Sequence, residues 1–541
     1  MIDLSATELA GQLRDGEISS EELVGACLER IDQIDDTVEA WAHLDRDYAI
    51  GQARFCDTVR ASGINTGPLH GVPVGIKDII DTKDMPTENG TVLDAGRRSM
   101  DDSSLVAQLR AAGAVILGKT VTTELAFYTP GKTRNPHNPD HTPGGSSSGS
   151  AAAVAAGMAP LGVGSQTNGS VIRPASYCGV VGFKPTSGLI SRRGVVAQSP
   201  TLDQMGVFGR TVADAALIAE NIMAFDPQDP ATKPAAAPAL SATAATEPPV
   251  PPLFALVKSP VWDEAEDDCQ EAFAELADAL GGRCEEVPLP DAFDEAVAMH
   301  RTVHSAEMAK CYARYYERGK GELSDALRNM IEEGQRVSAV DYQRALDGRN
   351  RLAAWLGEFF NDYDAIVTLA TTGEAPKGLE ATGSPIFCTI WTFCGTPAIT
   401  LPLMEGSNGL PLGVQLVGAR GDDARLLRTA NWLSTNATKL LPRHRAFAAR
   451  SNCLTERRFE LRRLGVALVG RTGADAERQV GRAPADRRGC DRNHANPPPQ
   501  ALGPDENQRN QDQSDNDAQG PVDVTDVLHG GPPKRITVGG A

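Results

Sequence analysis

The stretch that decides the fold reads PGGSSSGSAAAVAAG at 143–157 and continues as GSQTNGSVIRPASYCGVVGFKPT at 164–186. Glycine is needed where backbone turns sharply or approaches another group closely, so this density of Gly and Ser predicts a site rather than a scaffold. The first segment indicates a loop that leads into a helix of small residues. It lacks the GK[ST] ending of a phosphate-binding loop, although a helix N-terminus can still bind an anion.

A third motif lies upstream, where GPLHGVPVGIKD at 67–78 places Lys77 at the end of an apolar, strand-like run. Taken alone, such a lysine is typical of a strand end that reaches solvent. Around it, short apolar runs such as Val72–Ile76 alternate with helical pieces such as Ser103–Ala112. This alternation predicts an α/β fold, and helices are expected over residues 5–60.

The three motifs together resemble the amidase signature family, because they occur in the order and at the spacing found in that family. Ser170 follows Ser146 by 24 positions (170 − 146), which is the family's interval between its bridging serine and its nucleophile. The resemblance spans roughly residues 5–447, and GLPLGVQLVGARGDDARLLRTANWL at 409–433 resembles the family's closing strand and helix. It implies an amidase-signature fold, with a large mixed central β-sheet covered by helices on both faces.

The resemblance also implies residue roles. Ser170 would be the nucleophile, Ser146 would follow a cis peptide bond and relay the proton, and Lys77 would be the base. The oxyanion hole would be formed by the backbone N–H groups of Thr167, Asn168, Gly169 and Ser170. No metal and no cofactor is implied.

The chemistry of lysine places a condition on this assignment. At its reference pKa a lysine is neutral in only about one molecule in 2,500 at pH 7, so a base must be desolvated. The apolar flank of Lys77 fits such burial, and Asp78 is expected to be structural because an acid on Lys77 would keep it charged. None of the nine histidines lies in a recognisable Ser–His motif. The GSSSG at 145–149 also matches a nucleophile elbow, which would leave Lys77 and Ser170 unexplained.

The substrate is less well determined. Arg173 stands three residues after Ser170, as in the malonamidase-like branch, where it is associated with a substrate carboxylate; it could equally have a structural role. Tyr128 and Trp391 are candidates for the substrate pocket, with ordinary core packing as the alternative. Gln166 replaces an acid that is common in the family, which puts the fine shape of the turn in doubt.

Composition narrows the function classes. Apolar residues make up 41% of the 541 residues, and the net charge of −19 argues against nucleic-acid binding. The ten cysteines form no CxxC pair, and scattered cysteines favour a reducing, cytoplasmic location. No secretory leader and no membrane-length apolar run is present. The expected partner is a small amide, and a homodimer is left open.

The chain is expected to form one catalytic domain over residues 1–450. A Pro/Ala-rich segment at 226–252 is expected to be a surface loop or linker within it. The last 91 residues, 451–541, contain no Trp, Tyr or Met and are expected to be a disordered tail or a sequence outside its natural frame.

Three functions follow from these observations. The first is hydrolysis of a small amide, with aryl, carboxylate-bearing, carbamate and urea-like substrates left open. The second is the glutaminase subunit of a tRNA-dependent amidotransferase, which would co-purify with two other subunits. The third is a non-catalytic scaffold, which intact Lys77, Ser146 and Ser170 argue against.

Overall fold

A computed structural model of the chain describes residues 1–440, with side chains through residue 436. The tail predicted at 451–541 lies outside the described residues. In chain order the strands are β1 Trp41–Leu44, β2 Pro73–Lys77, β3 Val115–Thr120, β4 Leu161–Gln166, β5 Val181–Lys184, β6 Gln204–Gly209, β7 Phe254–Leu256, β8 Cys284–Glu286, β9 Ala365–Leu369, β10 Ala398–Glu405 and β11 Pro411–Val417.

The α-helices are α1 Ala6–Asp15, α2 Ser20–Val38, α3 Arg46–Ala61, α4 Ser104–Ala111, α5 Ser148–Ala155, α6 Ile172–Cys178, α7 Val212–Ile222, α8 Leu240–Ala244, α9 Asp267–Leu280, α10 Ala296–Cys311, α11 Ala313–Gly319, α12 Asp325–Gly334, α13 Ala339–Phe359, α14 Ile386–Cys394 and α15 Asp423–Leu440. No helix within residues 1–440 is long and apolar enough to cross a membrane.

All eleven strands form one mixed sheet, in the order β1-β3-β2-β4-β6-β5-β10-β11-β9-β7-β8. Strands β3, β2 and β4 are parallel neighbours, and β6, β5, β10 and β11 continue from β4 as antiparallel neighbours. The change from parallel to antiparallel pairing falls between β4 and β6. The α/β fold with a large mixed sheet is confirmed.

Helices cover both faces of this sheet, as expected. A Cβ on Gly182 of β5 would meet Ala175 of α6, whereas a Cβ on Gly209 of β6 would meet Asp214 of α7. Gly182 pairs directly with Phe208, the neighbour of Gly209. Because successive residues of a strand point to opposite faces, α6 and α7 lie on opposite sides of the sheet.

The N-terminal helices begin where their caps predict. Ser5 and Ser19 each form a capping box, with Glu8 and Glu22 respectively, so two otherwise unpaired backbone donors are satisfied at each start. The prediction of helices over residues 5–60 is wrong at Trp41–Leu44, which pairs with β3 as strand β1. Four residues between two helices are too few to show an alternating pattern.

The Pro/Ala-rich segment 226–252 is anchored to the body of the chain. It contains α8, whose Leu240 and Ala244 are buried, and the Asn431 side chain of α15 donates to Ala244 O at 3.0 Å. Asp229 pairs with Arg192 and Asp226 pairs with Arg193, both in the loop between β5 and β6. The segment therefore is not a free linker.

The eight cysteines within the described part of the chain are free thiols. The cytoplasmic location stays a prediction.

Candidate active site

Lys77 occupies the last position of β2, and its side chain is fully buried. Because β2 runs parallel to β4, the carboxyl ends of both strands lie at the same edge of the sheet. Lys77 Nζ lies 2.7 Å from Ser146 Oγ and 2.9 Å from Ser165 Oγ, in β4. The lysine therefore sits between two serine hydroxyls, of which Ser165 was not predicted.

The surroundings of Lys77 favour its neutral form. Burial lowers the pKa of Lys77 well below its usual value; the negative charge of Asp203 opposes this shift, and the positive charge of Arg173 adds to it. The carboxylate of Asp78 pairs instead with Lys119, at 3.2 Å, as expected for a structural acid. The lowered pKa therefore favours the neutral amine, which can accept a proton.

Ser146 lies in the loop that leads into α5. The peptide bond between Gly145 and Ser146 is cis, as the resemblance implies. Thr123 N–H donates to Ser146 O at 3.3 Å, and Ser147 N–H donates to Ser170 O at 3.4 Å. The backbone thus joins the loop of Ser146 directly to the turn of Ser170.

Ser170 lies in the turn between β4 and α6, with 8% of its surface exposed. Among residues 1–436 its hydroxyl has no hydrogen-bond partner, while the hydroxyl of Ser146 is engaged by Lys77. The structure thus brings the three predicted residues into one site, with the Lys77–Ser146 contact made and the Ser146–Ser170 contact open. Catalytic hydrogen bonds often tighten only when substrate is bound.

The backbone of the turn offers donors without acceptors. Within the described residues, no group accepts a hydrogen bond from the N–H of Asn168, Gly169 or Ser170. The carbonyl of Gly169 accepts from the N–H of Arg173 at 2.9 Å, at the start of α6. Three of the four predicted oxyanion donors are therefore free to bind a ligand oxygen.

Two residues that sequence reasoning missed hold the other carbonyls of this turn. Thr167 O accepts from His300 Nε2 at 3.0 Å, and Asn168 O accepts from the hydroxyl of Thr392 at 2.5 Å. His300 belongs to α10 and Thr392 to α14, both far along the chain. No local motif marks either one.

Asp203 is a further buried group beside the turn. The hydroxyl of Thr167 donates to Asp203 Oδ1 at 2.6 Å, and the N–H groups of Gln198 and Ser199 donate to Oδ2 at 2.9 Å each. Burial raises the pKa of Asp203 to about 6, against the lowering effect of these hydrogen bonds. Its carboxyl links Thr167 to the loop before β6.

The contacts of Arg173 favour its structural role, and its assignment as a substrate-binding residue stays a prediction. Its side chain is 1% exposed, and it donates through Nε and Nη2 to Gly145 O, at 3.2 and 2.6 Å, and through Nη1 to Gly383 O. The guanidinium is thus committed to two backbone carbonyls, one of them in the loop of Ser146. Burial lowers the pKa of Arg173 from its usual value.

The two aromatic candidates differ. Trp391 is 1% exposed and packs in the hydrophobic core, and its assignment to the substrate pocket stays a prediction. Tyr128 is 36% exposed, and its hydroxyl accepts from Asn168 Nδ2 at 3.4 Å. Of these two aromatic residues, Tyr128 is therefore the one available to a ligand.

Two cavities border the turn. The Ser165 cavity, of about 300 Å³, is lined by Ser165, Thr167 and Asp203 together with further charged side chains, Arg192 among them, and apolar side chains. The Tyr128 cavity, of about 410 Å³, is lined by Tyr128 and Pro385 among others. Gly169 packs against one wall residue of this second cavity, since a Cβ there would come within 2.9 Å of Pro385.

Known proteins resemble this chain over most of its length. The sequence matches the family described as Amidase over residues 22–427. A glutamyl-tRNA(Gln) amidotransferase subunit from Symbiobacterium thermophilum is 35% identical over 485 residues, covering 81% of this chain and 97% of that protein.

Solved structures agree in fold. The peptide amidase from Stenotrophomonas maltophilia has a TM-score of 0.71 and 30% identity, covering 82% of this chain and 98% of its own. A chain from a vestigial complex, described in connection with the origins of an s-triazine catabolic enzyme, has a TM-score of 0.75 and 27% identity, covering 80% and 98%. This chain therefore belongs to the amidase family and is an enzyme that hydrolyses amides.

Proposed function

We propose that this enzyme cleaves small amides through an acyl-enzyme on Ser170, with Ser146 as proton relay and Lys77 as base. The observation that carries the proposal is the fully buried Lys77 Nζ, 2.7 Å from Ser146 Oγ, in surroundings that lower its pKa. A serine hydroxyl is a poor nucleophile until a base takes its proton. No histidine in the described residues hydrogen-bonds to Ser146 or Ser170, which supports lysine as that base.

In the first half of the reaction Ser170 Oγ attacks the carbonyl carbon of the amide. Its proton passes to Ser146 Oγ as the proton of Ser146 passes to Lys77 Nζ. The Ser146–Ser170 hydrogen bond needed for this transfer forms when substrate fills the site. The negative charge that develops on the carbonyl oxygen is held by the free N–H groups of Asn168, Gly169 and Ser170, donors fixed before the reaction.

Collapse of the tetrahedral intermediate breaks the C–N bond. The proton on Lys77 returns through Ser146 to the leaving nitrogen, which departs as ammonia or an amine. Water then attacks the acyl-enzyme, and its proton follows the same path to Lys77. The acid product leaves with Ser170 and Lys77 restored, so the triad is unchanged by a full cycle.

The proposed substrate is a small uncharged amide with an apolar or flat substituent. Arg173 is committed to backbone carbonyls, and Glu380 on the wall of the Tyr128 cavity adds negative charge there. Both features disfavour a carboxylate-bearing substrate. Tyr128 and Pro385 offer a ring and an apolar surface instead, which also suits aryl amides and carbamates.

The test measures ammonia or amine release by the full chain from a panel of aliphatic amides, anilides and carbamates. Ser170→Ala and Lys77→Met are expected to lose at least about 1,000-fold in kcat/KM, because each removes a member of a unit. Ser148→Ala, at the start of α5 two residues after Ser146, is the matched control, since its hydroxyl only donates to Val121 O. Activity of Ser170→Ala near that of the wild type would overturn the mechanism.

The pH profile tests the lysine separately. Lys77 must be neutral, so kcat/KM is expected to be constant at high pH and to fall as pH drops through the lowered pKa of Lys77. Since burial moves this pKa below its usual value, activity persists at a pH where an exposed lysine would be charged. Activity that vanished below pH 10 would contradict a lowered pKa, and activity unchanged down to pH 5 would contradict the lysine base.

A second candidate function is supported by the relatives. The 35% identity to a component of a glutamyl-tRNA(Gln) amidotransferase favours glutamine hydrolysis within a larger complex. Glutamine hydrolysis together with stable co-purification of two other proteins from the native source would favour this function. Hydrolysis of simple amides by the isolated chain, with no associated proteins, would favour the independent amidase.

We also propose that residues 1–450 form the catalytic domain and that the remaining residues take no part in the chemistry. The family match ends at residue 427, before this boundary.

A further inference from the structure

The carbonyl groups of the Ser170 turn are held by side chains from distant helices. Thr167 O accepts from His300 Nε2 at 3.0 Å, and Asn168 O accepts from Thr392 Oγ1 at 2.5 Å. A trans peptide unit is planar, so its C=O and the N–H of the next residue point in opposite directions. Fixing these two carbonyls therefore aims the N–H groups of Asn168 and Gly169 away from His300 and Thr392.

Those same N–H groups have no acceptor within the described residues. Each N–H group is thus oriented by the hydrogen bond to the carbonyl of its own peptide unit, and its hydrogen is left for a ligand. We infer that His300 and Thr392 are positioning residues that aim the oxyanion donors of this enzyme. The inference rests on the proposed function, since it concerns the charge that develops when Ser170 attacks.

The protonation state of His300 fits this role. The side chain is 2% exposed in α10, and burial lowers the pKa of His300 to about 4. The ring is therefore neutral near pH 7 and carries one N–H. A carbonyl oxygen can only accept, so that hydrogen must be on Nε2, pointing at Thr167 O. The contact fixes the tautomer.

The direction of the Thr392 hydroxyl is set by Gln166. Gln166 Oε1 accepts from the N–H groups of Val171 and Ile172, at 2.8 and 3.0 Å, which fixes the orientation of the amide. Its Nε2 then donates to Thr392 Oγ1 at 2.9 Å. Because the Thr392 oxygen accepts this hydrogen bond from Gln166, its own hydrogen is left to donate to Asn168 O. A carboxylate at position 166 would accept that hydrogen and leave Asn168 O without a donor.

Thr389 provides a matched comparison on the same helix. Its hydroxyl donates to the side-chain oxygen of Asn168 at 2.7 Å rather than to the backbone carbonyl. It therefore contacts the same residue without restraining the peptide plane, and its loss should not turn the N–H of Gly169.

The experiment compares Thr392→Val with Thr392→Ser, His300→Phe with His300→Gln, and Gln166→Glu, in the full chain. The donor-lacking variants Thr392→Val, His300→Phe and Gln166→Glu are expected to lose roughly 10- to 100-fold in kcat with KM within about threefold, because they misaim donors used in the transition state. The donor-retaining variants Thr392→Ser and His300→Gln, and Thr389→Val, should stay within about fivefold of wild type.

A trifluoromethyl ketone, which forms a tetrahedral adduct with the serine, supplies the second readout. Thr392→Val should weaken its inhibition by the same factor as kcat, while inhibition by an unreactive ketone-free analogue is unchanged. Equal losses in Thr392→Val and Thr392→Ser, or a rise in KM with kcat intact, would overturn the inference. Ser170→Ala separates the two claims: activity retained there overturns the proposed function, whereas activity lost there with kcat intact in Thr392→Val overturns only the positioning role.

Discussion

The amine of Lys77 contacts two serine hydroxyls, and each can make a different kind of hydrogen bond with it. A neutral lysine has two N–H groups and one lone pair, and Ser165 Oγ at 2.9 Å can accept one hydrogen. The lone pair is then free to face Ser146 at 2.7 Å. In the proposed mechanism Ser165 would thus orient the base without taking part in proton transfer itself. This is why its place at the end of β4, beside the end of β2, matters to the site.

Arg173 yields a prediction that separates structural from substrate-binding roles. Arg173→Met leaves the buried carbonyls of Gly145 and Gly383 without their donors. The free energy of unfolding is expected to fall by about 2–4 kcal/mol. Because the guanidinium donates to these carbonyls, kcat/KM should fall by the same factor for a neutral amide and for its carboxylate-bearing counterpart.

Denaturant unfolding and paired substrate kinetics measure the two effects, and Arg173→Lys is the control that keeps the charge. A loss confined to the carboxylate-bearing substrate, with stability unchanged, would restore the substrate-binding role.

At this scale the sequence predicted that the residues of the proposed triad share one site, because each of them lies in a compact motif. Lys77, Ser146 and Ser170 each end or begin a segment with a recognisable pattern. His300 and Thr392 could not be found this way, since they meet the turn only through tertiary contacts made more than 100 positions away in the chain. The assignment of Trp391 stays a prediction, because an apolar helix gives no sign of which face meets the site.

Helix α10 shows what an element contributes. His300, His304 and Glu307 lie at helical spacing on one buried face. His304 Nε2 contacts Gln198 Oε1 at 3.0 Å, and Glu307 accepts from Ser199 and Thr201 of the same loop. This face fixes both the oxyanion turn and the loop that carries Asp203. Polar residues at this spacing in an otherwise ordinary helix were the available signal.

This face also predicts how stability depends on pH. Burial lowers the pKa of His300 from its usual 6.5 to about 4 and that of His304 well below its usual value. As pH falls, these histidines therefore bind protons at a higher pH in the unfolded chain than in the folded chain. The stability that neutral His300 contributes is fully present above about pH 6.5 and is lost progressively as pH falls from about 6.5 to about 4, by about 3 kcal/mol in all.

Denaturant unfolding at pH 7, 5.5 and 4.5 measures this loss. His300→Gln cannot be protonated, so its free energy of unfolding should fall less steeply than that of the wild type over this range. Parallel curves for the two proteins would contradict the assignment.

Longer helices and strands were easier to predict from the sequence than short ones. The apolar run Val72–Ile76 corresponds to β2, and the closing strand within 409–433 corresponds to β11. Strand β1 and helix α8 were missed because they have four and five residues, too few for periodicity to appear. The closing helix extends to Leu440 instead of the predicted Leu433.

In the whole molecule the site lies where parallel pairing gives way to antiparallel pairing. Lys77 and Ser165 stand at the carboxyl ends of β2 and β4, next to the antiparallel β6. Open α/β sheets bind ligands at such ends. Helices α10 and α14, from the second half of the chain, also contact the Ser170 turn. The motifs near residues 77–170 therefore do not by themselves form the whole candidate site.

The charge of the whole chain gives a prediction about substrates. A net charge of −19 repels anions at low ionic strength, and added salt screens this repulsion. The kcat/KM for a carboxylate-bearing amide is expected to rise by roughly two- to fivefold between 10 and 200 mM salt. That of a neutral amide of equal length should change little. Steady-state kinetics on the pair measure the ratio, and a ratio independent of salt would contradict a role for the net charge.

The two outer strands of the sheet carry a consequence for behaviour in concentrated solution. A long exposed strand is a template on which another molecule can add a strand of its own, and this is how many β-rich proteins aggregate. Here the sheet ends in β1, of four residues, and in β8, of three, where Glu285 and Glu286 are exposed. Edges this short, one of them carrying two negative charges, offer an incoming strand few hydrogen bonds, so a sheet of eleven strands remains protected against intermolecular growth.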